Sequence, residues 1–262
     1  MRIVSKVAVI FCLLCARDAY AGAWTQAEDS GQTFSTFTYS RASRSYDSHS
    51  NATIPIRYTK LLTQTYIEYG VRDWLTLTVD PEYAKAQSGP PGGPIEVANA
   101  FAIGAGARVR LLDDYGVFSV EGSYKSAGAF DTSVSVNQES ARQFEIRALY
   151  GTNFDVFGKA AFADLELGQR FIAGARPRET PIDISLGLHI TQDTMILAQS
   201  FNVIAGGDSK PPYRYYRSHK VQLSLVQHLW RHLSIQVGGF VSPLGQNALK
   251  EQGLSIALWD SI

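Results

Sequence analysis

Apolar and polar residues alternate one by one along most of the chain beyond residue 30. Between residues 101 and 111, for example, Phe101, Ile103 and Val109 share one parity, whereas Arg108 and Arg110 share the other. Successive side chains of a β-strand point to opposite faces, so each such segment predicts a strand with one apolar and one polar face. The pattern recurs in 59–71, 75–83, 101–111, 117–125, 143–151, 161–171, 182–190, 220–225, 233–241 and 254–258.

Two further segments alternate less regularly. In 32–41, Phe34 and Phe37 fall on opposite parities, and in 195–204 the apolar residues Ile196 and Leu197 are adjacent. Both are interpreted as strands because the strands on either side need hydrogen-bonding partners. The chain is therefore expected to contain about twelve strands in all.

The predicted connections alternate between short and long. Tight hairpin turns favour Asp, Asn and Gly, and these residues recur in the short connections. Short turns at one rim and long loops at the other are typical of bacterial outer-membrane barrels. The short turns are placed at 72–73, 113–116, 153–155, 191–193 and 230–232, and the long loops at 42–57, 84–98, 126–141, 174–181, 205–216 and 243–251.

These features predict an all-β fold, a closed antiparallel up-and-down transmembrane β-barrel over residues 22–262. Beyond residue 21 no unbroken apolar run reaches the roughly 18 residues that a helical span needs. In hydrocarbon every backbone group needs an internal partner, and closing the sheet removes its unpaired edges. Aromatic residues near strand ends, including Tyr69, Trp74 and Trp230, suit the membrane boundary. A water-soluble β-sandwich is the alternative, but the polar parity is too highly charged for its exterior.

The first 21 residues have the pattern of a secretory signal peptide. Arg2 and Lys6 precede an apolar stretch at 7–16, and Ala19 and Ala21 supply small residues where a signal peptidase reads them. Cleavage is expected after Ala21, with Ala23 as the second choice. Cleavage after Ala21 would leave a chain without cysteine and with a net charge of −2, which gives no general argument for nucleic-acid binding.

The polar parity defines the candidate functional residues. In a barrel whose apolar parity meets lipid, these side chains face the lumen, and many of their charges are expected to pair across strands. No strong ring of one sign appears, so the sequence specifies neither an anion nor a cation channel. A passive or weakly selective channel for small solutes, without a cofactor, is the first hypothesis. The pore-lining candidates are Lys60, Gln64, Glu68, Arg108, Arg110, Glu121, Glu145, Arg147, Asp164, Glu166, Arg170, Asp183, His189, Lys220 and Gln222.

Other motifs leave alternatives open. The run His49-Ser50-Asn51 resembles a hydrolase triad, yet three consecutive residues do not converge as nucleophile, base and orienting group. Asp164 and Glu166 share a face and suggest an acid–base dyad, although Arg147 and Arg170 could neutralise them. The basic, aromatic segment 210–217 suits lipopolysaccharide phosphates or an aromatic solute, or is simply a loop. A barrel filled by its own side chains and a lipid-modifying barrel enzyme therefore remain alternatives to a channel.

Two short runs carry a family resemblance. The hairpin at 68–77, Glu-Tyr-Gly-Val-Arg-Asp-Trp-Leu-Thr-Leu, and the run at 104–111 resemble the outer-membrane transporters associated with the meta-pathway of phenol degradation. That resemblance implies a passive pore in the bacterial outer membrane, with small hydrophobic or aromatic compounds as candidate solutes. The C-terminus is similar to the signal read by the barrel-assembly machinery, through Glu251, Gly253, Ile256 and Leu258. It departs from it in the acidic first position and the terminal Ile262.

Overall fold

The computed structural model describes residues 22–126, 141–174, 176–206 and 215–261, which form one closed barrel of twelve antiparallel strands. Each strand pairs with its neighbours in sequence, and β1 closes the barrel by pairing with β12. The predicted fold is confirmed, whereas the signal-peptide assignment lies outside the described residues. The strands are β1 Gly31–Ser45, β2 Ile54–Arg72, β3 Leu75–Gly89, β4 Glu96–Leu112, β5 Val117–Lys125, β6 Gln143–Val156, β7 Lys159–Ile172, β8 Glu179–His189, β9 Thr194–Ala205, β10 Arg217–Trp230, β11 Leu233–Gln246 and β12 Leu249–Ser261.

The two faces of the barrel have the predicted orientation. Ile103, Ile146 and Ile184 are 48%, 46% and 40% exposed on the exterior, whereas Arg108 and Glu145 are 3% and 8% exposed in the interior. Exposed Leu, Ile, Val, Phe and Tyr side chains recur on every strand and form an apolar exterior. Such a surface is far larger than the apolar patches that water-soluble proteins expose, so the exterior belongs in hydrocarbon. In the described part of the chain, no helix is long and apolar enough to cross a membrane.

The strands extend further into the predicted long loops than expected. β3 continues to Gly89 and β4 begins at Glu96, so only 90–95 of the predicted loop 84–98 connects them. The predicted loop 243–251 is also wrong, since only residues 247–248 lie between β11 and β12. In the extended part of β3 and β4 the alternation is reversed: Ala84, Ala86 and Ala100 are buried inside, whereas Lys85 is exposed. This stretch of β3 and β4 therefore places small apolar side chains inside the barrel, which a search for apolar outward positions misses.

One short turn lies three to four residues later than predicted. β6 continues through 153–155 to Val156, and the turn to β7 is made by Phe157 and Gly158. Their φ angles are 50° and 74°, the left-handed conformation that a two-residue type I′ turn requires at both central positions. The turn residues that the sequence suggested, Asn153 and Asp155, instead belong to the end of a long strand.

The irregular alternation in β1 and β9 reflects apolar side chains inside the barrel. Phe34 is 9% exposed and faces inward, whereas Phe37 is 47% exposed on the exterior. Likewise Leu197 is buried in the interior and its neighbour Ile196 is exposed outside. Both segments are strands as predicted, and their mixed pattern arises because part of the lumen is itself apolar.

Candidate functional site in the barrel lumen

The segment preceding β1, residues 22–30, enters the lumen at the end of the barrel that carries the short turns. The Ala23 amide donates to Asp164 Oδ2 at 2.8 Å, and the Ser119 hydroxyl donates to the Ala23 carbonyl at 2.5 Å. Arg108 Nη1 donates to the carbonyl of Trp24 at 2.9 Å. Ala23 is completely buried. The barrel wall therefore binds this segment mainly through its backbone, which the side-chain pattern of the segment does not reveal.

Further along, side chains also anchor this N-terminal segment. Gln26 donates through Nε2 to Glu68 at 2.7 Å, and its amide donates to the Thr76 hydroxyl at 2.8 Å. The Trp24 ring meets the ring of Phe162 edge-on, with 6.0 Å between centroids and an interplanar angle of 88°. Strands from both halves of the barrel thus hold the segment, which lies across the lumen.

An apolar cluster fills the lumen around this segment. The phenyl ring of Phe34 packs edge-on against the indole of Trp259, with centroids 5.3 Å apart. The cluster places large apolar side chains where the sequence predicted only polar ones. Its buried members are Phe34, Phe162, Met195, Leu197, Val226, Ala257 and Trp259, with Trp24 and Tyr66 packed against them.

A buried ion-pair triad lies next to the N-terminal segment. Arg108 contacts Glu68 at 2.7 Å and Glu121 at 2.8 Å, with side-chain exposures of 3%, 0% and 11%. Its Nη2 also donates to the hydroxyl of Tyr66 at 3.0 Å. One guanidinium thus contacts two carboxylates, a tyrosine and the Trp24 carbonyl, which fits the planar fork of an arginine side chain.

A second network joins β6, β7 and β8. Arg147 Nη1 contacts Glu166 at 2.6 Å and Asp183 at 2.8 Å, and its Nε contacts Glu145. Arg170 bridges Glu145, at 2.5 Å, to Glu179, at 2.8 Å. The charges therefore pair across strands and partly neutralise one another within the lumen.

Two lysines form further ion pairs in the described lumen. Lys125 contacts Asp80 at 2.7 Å and Glu82 at 2.8 Å. Lys220 contacts Glu251 at 3.0 Å and lies 4.5 Å from the centroid of the Phe240 ring. Glu251, assigned from the sequence to the assembly signal, thus also belongs to the interior charge network.

These charges surround a cavity of about 480 Å³. The nine strands β1 to β9 and Gly22 contribute to its lining, and the N-terminal segment and the apolar cluster lie toward its short-turn end. A polar cavity of this size accommodates a small molecule. Of the residues singled out from the sequence, those that line it are Gln64, Arg108, Glu121, Glu145, Arg147, Asp164, Glu166, Arg170 and Asp183.

The remaining pore-lining candidates lie elsewhere. Lys60 and Glu68 are buried in the interior, and Gln222 bonds to Gln199 and Ser224. Arg110 lies at the short-turn rim, where it approaches Asp113 at 3.6 Å, and His189 ends β8 at the same rim. Whether these residues line a solute path stays a prediction. Arg110 and His189 could contact a solute only at the mouth of the barrel, because they lie at its rim.

Sequence reasoning missed a buried group near the opposite rim. Glu179 is completely buried and pairs with Arg170 and with Arg176, the latter at 3.3 Å, and it accepts a hydrogen bond from Tyr216. Glu179 lies in the predicted loop 174–181, where no parity was assigned. Continuing the β8 alternation backward from Asp183 would have placed Glu179 on the inner face.

The run His49-Ser50-Asn51 does not converge as a catalytic triad. Ser50 accepts a hydrogen bond from Arg217 at 3.3 Å, and the His49 ring lies 3.3 Å from Ser48. Asp47 accepts from the backbone amides of His49 and Asn51, which closes the loop as a compact turn. Residues 210–214 of the basic, aromatic segment lie outside the described residues. Among the described residues, no group of three or more His, Cys, Asp or Glu is arranged to hold a metal ion.

Glu166 and Asp164 differ in how they are neutralised. Arg147 contacts Glu166 as predicted. Arg170, by contrast, turns to Glu145 and Glu179. Asp164 accepts a backbone hydrogen bond from Ala23 and also shares a side-chain hydrogen bond with Glu166, so the two carboxyl groups adjoin one another while their other partners differ.

Solved structures resemble this barrel in fold. An outer-membrane channel from Pseudomonas putida F1 superimposes with a TM-score of 0.71 and 9% identity, covering 92% of this chain and 98% of that one. The β domain of the Bordetella autotransporter BrkA gives a TM-score of 0.58 and 9% identity, covering 89% and 100%. The transport unit of the autotransporter AIDA-I from Escherichia coli gives 0.53 and 10%, covering 93% of each chain. No family model and no curated protein sequence matches this chain.

Proposed function

We propose that this protein is a narrow outer-membrane channel that admits small solutes into a polar lumen. The observation that carries the proposal is the cavity of about 480 Å³ inside a closed barrel whose exterior suits lipid. Its lining carries charges of both signs, and such a lining lets a hydrated solute replace some of its water contacts. The likeness to an outer-membrane channel in fold supports this assignment.

The lumen is expected to favour cations weakly. Among the described interior side chains, carboxylates outnumber cationic groups, and a narrow low-dielectric passage concentrates counter-ions of the opposite sign. The carboxylates are Glu68, Asp80, Glu82, Glu121, Glu145, Asp164, Glu166, Glu179, Asp183 and Glu251, and the cations are Lys60, Arg108, Lys125, Arg147, Arg170, Arg176 and Lys220.

Planar-bilayer recording tests the channel. The wild-type barrel should give small, cation-preferring conductance steps, because the N-terminal segment and its apolar cluster narrow the lumen. A variant with Trp24→Ala and Gln26→Ala loses the contacts to Phe162 and Glu68 and should conduct more. The Thr25→Ala variant is the matched control. The Thr25 hydroxyl donates only to the exposed Asp73 carbonyl, so this variant should conduct like the wild type.

A plugged barrel with a structural or surface role is the second candidate. The N-terminal segment and the cluster around it favour it, because they fill the short-turn half of the lumen. If neither the wild type nor the Trp24→Ala, Gln26→Ala variant conducts, the channel proposal is wrong and this candidate stands. A lipid-modifying enzyme would instead show hydrolysis of phospholipid or lipopolysaccharide by the purified protein.

The lining of the cavity and the family resemblance predict different classes of solute. Charged side chains around the cavity favour small hydrophilic solutes, whereas the resemblance implies hydrophobic or aromatic ones. Swelling of liposomes that contain the protein separates them. We expect faster swelling with a small amino acid such as glycine than with benzoate, and the reverse order would support the aromatic assignment.

A further inference from the structure

The start of the described chain lies against a buried carboxylate. Gly22 has a φ of 111°, and a Cβ added there would collide with the carboxylate of Asp164. The next amide, that of Ala23, donates to the same carboxylate at 2.8 Å. Glycine adopts this backbone conformation readily and, having no Cβ, permits this close approach. The chain therefore brings its backbone at residue 22 directly onto Asp164.

Asp164 is in a position where a carboxylate needs a cation. It is 3% exposed, and no ion pair within 4 Å joins it to a described Lys, Arg or His side chain. Its neighbour on the same face, Glu166, engages Arg147 and also forms a side-chain hydrogen bond with Asp164, which places a second acidic group beside it rather than a cation. A pair of buried acidic groups with a single direct cation between them is unfavourable when both are ionised. Arg108 contributes favourable electrostatics from further away, while its direct contacts go to Glu68 and Glu121.

We propose that removal of the signal peptide supplies this cation, as the new α-ammonium group of Gly22. Hydrolysis of the Ala21–Gly22 peptide bond by a signal peptidase uses one water. The C–N bond breaks, a carboxylate forms on Ala21, and the amine of Gly22 takes up a proton. A neutral amide nitrogen beside Asp164 thereby becomes a cationic donor with three N–H bonds. The ion pair fixes the N-terminal segment inside the barrel after processing, whether or not the barrel conducts.

This proposal explains why the segment enters the lumen at this point. Ser119 binds the Ala23 carbonyl, and Arg108 binds the Trp24 carbonyl, so the first residues after the cleavage position are held by consecutive backbone contacts. Such contacts place the chain end to within one residue. Cleavage at the alternative position, after Ala23, would remove both Gly22 and the amide that bonds to Asp164.

The first measurement is the intact mass of the protein purified from outer membranes. A mature chain that begins at Gly22 is expected, and any other start overturns the proposal. The second is the rate at which an amine-reactive ester modifies Gly22 in the folded barrel near pH 8, where an ordinary α-amine is largely reactive. The wild-type α-amine should react at least about tenfold more slowly than that of the Asp164→Asn variant. Glu166→Gln, which removes the adjacent carboxylate that Arg147 contacts but leaves Asp164 in place, should retain the protection.

A second variant separates the ion pair from the structural role of Asp164. Insertion of one glycine between Ala21 and Gly22 moves the ammonium about 3.8 Å along the chain and leaves the Ala23–Asp164 hydrogen bond in place. The proposal expects loss of protection here as well. If Asp164→Asn exposes the amine and the insertion does not, Asp164 acts only through the Ala23 amide and the ion pair is refuted. Equal reactivity in the wild type and in Asp164→Asn refutes it too.

Discussion

The buried triad around Arg108 allows a quantitative test of how the lumen is stabilised. Replacing Arg108 by Met removes the cation that lies 2.7 Å from Glu68 and 2.8 Å from Glu121. Two carboxylates then remain in a site from which water is largely excluded. Breaking a buried pair by removing one partner costs about 3–5 kcal/mol. The loss should lie toward the upper end because the Trp24 carbonyl and the Tyr66 hydroxyl lose their donors as well.

The assay is equilibrium unfolding of the refolded barrel in urea, followed by tryptophan fluorescence and by heat-modifiable migration on gels. With a denaturant dependence of about 2 kcal/mol per molar urea, a loss of 4 kcal/mol lowers the midpoint by about 2 M. Arg72→Met is the matched control. Arg72 contacts Glu28 at 2.6 Å, but the two side chains are 57% and 47% exposed, so its removal should cost no more than about 1 kcal/mol.

A compensated variant completes this test. Converting Glu68 and Glu121 to Gln in the Arg108→Met background removes the uncompensated charges and should recover most of the lost stability. The reasoning would be refuted if Arg108→Met and Arg72→Met shifted the midpoint equally, or if the compensated variant were no more stable than Arg108→Met alone. Either result would mean that water reaches the triad freely.

Three further outcomes follow from the same structure. Ile184→Arg on the lipid-facing side should cost about 2–4 kcal/mol of unfolding free energy, and Ser185→Arg on the lumen side much less, as measured by urea unfolding in lipid vesicles. Tyr46→Phe should cost about 1 kcal/mol in the same assay, because the Tyr46 hydroxyl donates to two carbonyls where β11 and β12 separate. Hydrogen bonds from the Asn51 and His49 amides lower the pKa of Asp47. The turn that these bonds close is therefore fully stabilised above the ordinary aspartate pKa, and this stabilisation is lost as the pH falls through the lowered value. Hydrogen exchange at the Asn51 amide should accelerate over that pH range.

The sequence predicts the barrel well because the alternation of apolar and polar residues within a single strand shows which of its faces meets lipid and which meets the lumen. Ile103 and Arg108 reveal their sides of the sheet from their own strand alone, since lipid admits one class of side chain and the lumen the other. That rule fails for Phe34 and Leu197, which face the lumen and are apolar. Their environment depends on residues far away in sequence, such as Trp259 beside Phe34, and alternation within one strand contains no information about them.

The N-terminal segment was the least predictable part of the site. Its anchors are mainly backbone groups of Ala23 and Trp24, and any side chains there would offer the same amides and carbonyls. Its partners Asp164, Ser119 and Arg108 lie on strands separated from it by about a hundred residues. Such contacts can be recognised only once the closed sheet shows which side chains of different strands lie at the same height in the lumen.

The apolar cluster and the ion pairs of the lumen depend on each other. Trp24 and Phe162 displace water from the short-turn half of the barrel, and this raises the cost of any unpaired charge nearby. Arg108 offsets that cost because it pairs with two carboxylates, and it also donates a hydrogen bond to the Trp24 carbonyl. Arg108 therefore both neutralises carboxylates of the barrel wall and holds in place the N-terminal segment whose apolar side chains exclude water from them. Widening the lumen by releasing that segment should hydrate the triad, so conductance and stability are expected to change together in variants of Trp24.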